Sequence, residues 1–228
     1  MTAPLPIMCH PTTEDVLNHG GLRPGLHYDS PGLALGQHWL DTPEPGLRPG
    51  EVWVSSTSHA LQVFASLEDD VIGNSARGER QPTWSTGDVL EIFLRPDGQD
   101  AYFEFHITPE NETLRVRFPS ERYFAAMARQ YPRDPNWVFD LSLAHNCIQT
   151  ATQVIPESRR WNVAAVIPFT TVLENGETFP SRPWRVSFCR YDTTPGLSKP
   201  VLSSTSPYST PKFHDQSAWR ELRFVPLS

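Results

Sequence analysis

Hydrophobic and polar residues alternate most cleanly across residues 83–109, TWSTGDVLEIFLRPDGQDAYFEFHITP. Leu90, Ile92 and Leu94 fall on one side of an extended chain and Glu91 on the other. Phe103, Phe105 and Ile107 likewise oppose Tyr102, Glu104 and His106, as the two-residue period of a strand requires. Pro96-Asp97-Gly98 separates the two runs and is turn chemistry, so 89–94 and 102–107 are expected to pair as adjacent antiparallel strands. The register would set Glu91 on one face with Tyr102, Glu104 and His106. Such a face is either a solvated exterior or a polar platform beside Trp84.

The same period marks further strands at 33–40, 52–56, 61–67, 113–118, 137–143, 148–155, 161–167, 184–191 and 220–225. Helix propensity is convincing only at 120–129 (SERYFAAMAR), with a brief turn of helix expected at 169–173. Many short strands with turn residues between them predict an all-β fold, a β-sandwich of mostly antiparallel strands with one or two short helices. Residues 1–32 lack this periodicity. They are expected to form an irregular Pro/Gly-rich segment before one sandwich domain over 33–228.

Composition narrows the classes. The 23 prolines among 228 residues are about twice the usual share of roughly 5%, which suits a loop-rich β protein. A net charge of −7 opposes non-specific nucleic-acid binding, which depends on Lys and Arg neutralising phosphates. No apolar run is long enough to cross a membrane as a helix. No basic leader with an apolar stretch opens the chain, so a cytoplasmic location is expected as written, or secretion if a leader has been removed. Cys9, Cys147 and Cys189 are widely spaced and match neither a metal motif nor a disulfide framework. Cys147 and Cys189 sit in apolar runs and read as buried thiols.

Four blocks, in order, resemble carbohydrate-binding module family 9 and its relatives. They are LQVFASLEDD at 61–70, WSTGDVLEIFL at 84–94, WNVAAVIPF at 161–169, and the closing group of 184–191 with Ser206-Pro207 and Phe213-His214-Asp215. The resemblance covers roughly residues 50–225. It implies a β-sandwich that binds a saccharide without catalysis, by aromatic rings on the apolar sugar face and polar groups on its rim. It implies Trp84 as the first stacking residue, Glu91 as a hydroxyl acceptor, His106 or else Glu104 as the polar group on the next strand, and Arg190 at the rim. Thr205 stands where the family has its second tryptophan and cannot stack, which leaves Tyr208 to supply that ring. Asp69 and Asp70 lie where relatives hold a structural calcium, although two acids fall short of a calcium cage; no other cofactor is expected.

Arg190 also reads as a fork holding Glu91, and His214-Asp215 as a pair that fixes a loop. Two other functions compete. A glycoside hydrolase needs two carboxylates, and Glu91 and Glu104 on paired strands are the candidates. A structural or regulatory adaptor that has lost sugar binding would explain Thr205. No G-x-S-x-G elbow supports a serine hydrolase, and only Met8 and Met127 follow Met1 as thioether ligands for a haem.

Overall fold

The structure, a computed structural model, describes residues 4–23, 32–78, 80–174, 176–194 and 198–226. Its strands are β1 (Ile7–Pro11), β2 (Leu17–Asn18), β3 (Gly21–Leu22), β4 (Leu33–Ala34), β5 (Gly50–Ser56), β6 (Ala60–Glu68) and β7 (Val89–Pro96). Then follow β8 (Tyr102–Ile107), β9 (Thr113–Phe118), β10 (Gln149–Ile155), β11 (Arg160–Pro168), β12 (Trp184–Asp192), β13 (Val201–Ser204) and β14 (Arg220–Phe224). Two α-helices, α1 (Glu121–Gln130) and α2 (Phe169–Val172), complete the regular elements with short 3-10 turns.

The strands build a β-sandwich. One sheet runs β9-β8-β7-β12-β14, with β13 beside the C-terminal half of β12, and the other runs β10-β11-β6-β5 with β4 on β5. β1 joins them: Ile7–Cys9 pair with β14 and His10 and Pro11 with β5, both in parallel. The other named pairings are antiparallel.

Burial explains the pairing. Leu61, Val63 and Leu67 of β6, Leu90 and Ile92 of β7, Phe103 and Phe105 of β8, and Val186 and Phe188 of β12 meet between the sheets. Trp184 lies in this core at 0% exposure against Phe169 and Phe224. Truncating such a side chain costs about 3–5 kcal/mol.

The structure departs from the periodicity in four places. Among the described residues of 1–32, expected to be irregular, Ile7 and Cys9 are core residues of β1, and β2 pairs with β3. Of 33–40 only Leu33–Ala34 is strand. The apolar stretch expected as a strand at 137–143 is a 3-10 turn, Pro135–Leu141. Its signals are those of a helix start: Asp134 caps Asn136 N at 3.1 Å and Pro135 fills the first turn. β13 had no counterpart in the pattern.

The most consequential difference lies outside the sandwich. The outer face of β7, β8 and β12, which alternation alone leaves half solvated, carries a second buried cluster of Phe93, Tyr102, Val116, Phe118, Cys189, Tyr208, Phe213 and Trp219. Helix α1, the Pro135–Leu141 turn and the chain around 205–219 form the layer over it. Ser120 starts α1 by accepting from Tyr123 N at 3.1 Å. No residue of α1 is fully buried, and Phe124 packs its ring on Phe118.

Candidate functional site

Between that outer layer and the sheet is an open cleft of about 730 Å³. Glu91, Phe93 and Glu104 are on its floor, with Tyr191 beside them from β12. Trp84 lines one side, Phe124, Ala128 and Tyr131 come from α1 and its end, and Trp137 and Val138 from the 3-10 turn. Lys212 to Asp215 close the rim with Arg133.

The floor follows from register. Glu91 pairs with His106, and Phe93 with Glu104, across β7 and β8, so Glu91, Glu104 and His106 share one face. His106 is fully buried and does not line the cleft, so the ligand contact expected of it is corrected and passes to Glu104 on the same strand. The His106 Nε2 lies 2.5 Å from Glu104 Oε1 and 3.3 Å from Glu91 Oε1, and its Nδ1 lies 2.7 Å from Thr83 Oγ1. One imidazole is therefore shared by two carboxylates and pinned by a hydroxyl.

Thr83 also opens the 3-10 turn Thr83–Ser85 that carries Trp84. Asn74 holds the turn from behind, donating to Thr83 O at 2.8 Å and Asp88 O at 3.1 Å. The loop closes at Gly87, φ +152°, where a Cβ would meet Gly73 O at 2.3 Å, so only glycine fits. Trp84 comes to rest half-buried, edge-on to His106 at 5.7 Å and stacked on Phe139 at 6.2 Å.

Burial sets the charges. It raises the Glu91 carboxyl from 4.5 to about 8; His106 opposes the rise and Glu104 adds to it. Burial works against ionising Glu104 as well, but His214 and His106 outweigh it and hold that carboxyl below its ordinary value. His106 is raised because Glu91 and Glu104 overcome the effect of burial. The floor thus sets a carboxyl group that burial keeps protonated beside one that is held toward its ionised form, with an imidazole between them pushed toward its charged form.

The two remaining candidates lie elsewhere. Arg190 pairs with Leu90 and Cys189 with Glu91, so Arg190 points to the opposite face of the sheet from Glu91. There its Nη2 lies 2.8 Å from Asp69 Oδ2 and 2.9 Å from Asp192 Oδ2. The expected grip on Glu91 and place at the rim are both corrected. The parity was readable, since Trp184, Val186, Phe188 and Arg190 alternate with Ser187 and Cys189.

Tyr208 is 1% exposed and does not line the cleft. Its hydroxyl donates to Phe213 O at 2.8 Å and lies 3.0 Å from Ser187 Oγ, so it braces the loop rather than replacing the ring missing at Thr205. Thr205 is itself buried and accepts from Phe188 N at 3.2 Å. The further aromatic surface of the cleft belongs to Trp137, Phe124 and Tyr191. Trp137, expected in a strand, lies instead in the 3-10 turn whose start Asp134-Pro135 signals.

Two groups of acidic and histidine side chains have ligand atoms within 4.8 Å of one another among the described residues: Glu91, Glu104 and His106, and Asp69, Asp88 and Asp192. The second was the place expected for calcium, but Asp70 turns away to the surface, where it pairs with Arg48 and Arg159. Asp88 accepts from Gly73 N at 2.7 Å and Thr193 N at 2.8 Å, and Arg190 already supplies the positive charge. Calcium needs six to eight oxygens, so these residues do not fit it. In the first group His106 bonds Glu104 directly, and the imidazole nitrogen facing the acids is committed to them.

No family model and no curated protein matches the chain. Solved structures do. A protein of Bacteroides uniformis ATCC 8492, provisionally assigned to carbohydrate binding, superposes with a TM-score of 0.64 at 16% identity over 84% of this chain and 85% of that one. A family 9 carbohydrate-binding module from Caldicellulosiruptor kristjanssonii, in complex with cellotriose, gives 0.62 at 12% identity over 97% and 94%. A family 9 module of the same organism, in complex with glucose, gives 0.60 at 13% identity over 97% and 96%. At these identities the likeness is one of fold.

Proposed function

We propose that the chain is a non-catalytic saccharide-binding module whose ligand occupies the cleft over Trp84, Glu91 and Glu104. The observation that carries this reading is the pairing of an aromatic wall with a floor of carboxylate groups in one open cleft. A sugar ring has apolar C–H faces and a polar rim, and the two surfaces answer those two needs. His106, behind the floor, is a positioning residue: it orients both carboxyl groups and, through Thr83, the turn that bears Trp84. The neighbouring folds whose ligands are glucose and cellotriose support the same assignment.

We read Glu91 and Glu104 as ligand-holding groups rather than as a hydrolytic pair. Glycoside hydrolysis needs two carboxyl groups flanking the scissile bond, one of them a free nucleophile or base. These two project side by side from one floor and share one imidazole. The chain is accordingly expected to release no product from aryl glycosides.

Calorimetry with glucose, cellotriose and a wider sugar panel tests the proposal. The expected result is binding toward the millimolar end, near −4 kcal/mol, weakened about thirtyfold in Trp84→Ala, as loss of about 2 kcal/mol at an aromatic anchor requires. No heat with any saccharide at millimolar concentration, or undiminished binding by Trp84→Ala, would overturn it and leave the adaptor reading.

A further inference from the structure

His214 sits at the cleft rim in a setting that a loop-fixing residue does not need. Asp215 does the loop's own work, accepting from Ser217 N at 3.1 Å and Ser217 Oγ at 2.6 Å. The His214 side chain is 24% exposed and is among the cleft-lining residues. Its ring is held on several sides: stacked on Phe124 at 3.5 Å, edge-on to Phe93 at 5.2 Å and to Phe118 at 5.5 Å. Its Nδ1 lies 2.8 Å from Tyr102 Oη, and the Tyr102 ring is fixed by stacking on Phe118 at 4.7 Å.

The tautomer follows from these contacts. Burial, with Glu104 and Glu121 nearby, keeps the Tyr102 phenol protonated, so it has a proton to give. If it donates to Nδ1, the His214 proton is on Nε2, facing Glu104 Oε2 at 3.7 Å. The reverse tautomer would aim a lone pair at an ionised carboxylate. Burial lowers the imidazole from 6.5 to about 4, so His214 stays neutral and keeps this arrangement near neutral pH.

A separation of 3.7 Å is too long for a direct hydrogen bond, whose range ends near 3.2 Å. It is short enough for one oxygen to reach both groups, as a bridging water or ligand hydroxyl does. We propose that His214 is a ligand-binding and specificity-determining residue of the cleft. Its Nε2–H donates to one saccharide hydroxyl, and that hydroxyl donates in turn to Glu104 Oε2. Tyr102 is the positioning residue that fixes the donor. This inference rests on the saccharide reading and adds that the cleft selects a sugar carrying a hydroxyl at one particular ring position. A sugar without that hydroxyl leaves a buried donor and acceptor unpaired, which is the penalised case.

Calorimetry with glucose, cellotriose and the monodeoxy glucoses tests it on the wild type, His214→Leu and Tyr102→Phe, with urea midpoints as folding controls. The wild type is expected to lose about tenfold for one monodeoxy glucose, equivalent to about 1.4 kcal/mol. His214→Leu should bind glucose about tenfold more weakly and no longer distinguish that analogue from the parent. Tyr102→Phe keeps the ring, loses the donated proton, and should show the same loss of discrimination in smaller measure; it carries the test if His214→Leu does not fold. Retained discrimination in both variants, or in Tyr102→Phe alone where His214→Leu is unfolded, overturns the inference while leaving saccharide binding intact. Absence of binding to any sugar by the wild type overturns the saccharide reading and this inference together.

Discussion

Two buried charge clusters lie on opposite faces of the β7–β12 pair, and each sets acids around one cationic side chain. On the inner face, Asp69, Asp88 and Asp192 gather near Arg190. On the outer face, Glu91 and Glu104 gather around His106. The inner acids are tied down by backbone donors, with Val71, Gly73 and Thr193 bonding Asp69 and Asp88, and none of them lines the cleft. Both outer acids do line it. A closed cluster of this kind serves the fold; an open one keeps acceptor capacity for a ligand.

Mutation separates the two most sharply at Arg190. Arg190→Met strands the inner carboxylates without their cation, a loss of about 3–5 kcal/mol. It should appear as a large fall in the urea midpoint, with any folded fraction still binding sugar at wild-type affinity. Glu91→Gln, by contrast, mimics the protonated acid and spares the folded chain the protonation of Glu91 that its burial demands, so the midpoint at pH 6 should hold or rise.

Titration gives the next largest effect. Glu91 at about 8 and Asp88 at about 7 lie above their ordinary values because of burial, and His106 is raised by its two carboxylates. Each contribution is full below the unfolded-state pKa and is lost as pH rises through the folded value. His214 and Glu104 are lowered and work the other way, losing stability as pH falls. With two raised groups against one lowered histidine over this range, the melting temperature should be highest at about pH 4–5 and decline as pH rises toward about pH 8. Differential scanning calorimetry of Glu91→Gln should show a shallower alkaline decline; an identical profile would contradict burial as the cause.

The smallest expected effect concerns metal. Because Arg190 already serves the aspartates, millimolar calcium or EDTA should leave the melting temperature unchanged within about a degree. A calcium-dependent rise removed by mutating Asp192 would show that the inner cluster is open after all.

Much of this contrast was readable in the chain. Glu91 and His106 fall on one face because alternation on both sides of a Pro-Asp-Gly turn leaves little freedom in register. The parity of Arg190 was equally plain, but a family resemblance that placed it at the rim outweighed the apolar Val186 and Phe188 on its own face. The second layer was hidden for a physical reason: α1 and the Pro135–Leu141 turn are local elements, and nothing in their own periodicity says which sheet face they cover. Ile7–Pro11 escaped because five residues in which apolar Ile7, Met8 and Cys9 run together without alternation, ending at proline, carry too little pattern to reveal a central strand. Tyr208 misled through its spacing from Thr205, which cannot report that its hydroxyl turns inward to Phe213 O.

The central claim is that the open cluster and its aromatic wall hold the ligand. Nuclear magnetic resonance of the isotopically labelled protein during cellotriose titration tests it most directly. The account predicts that the Trp84 indole N–H and the amides of β8 and residues 211–215 shift together along one saturating curve, while signals around Asp69 and Arg190 stay in place. Shifts centred on β5 and β6 or on the inner cluster, with the Trp84 indole unmoved, would contradict it.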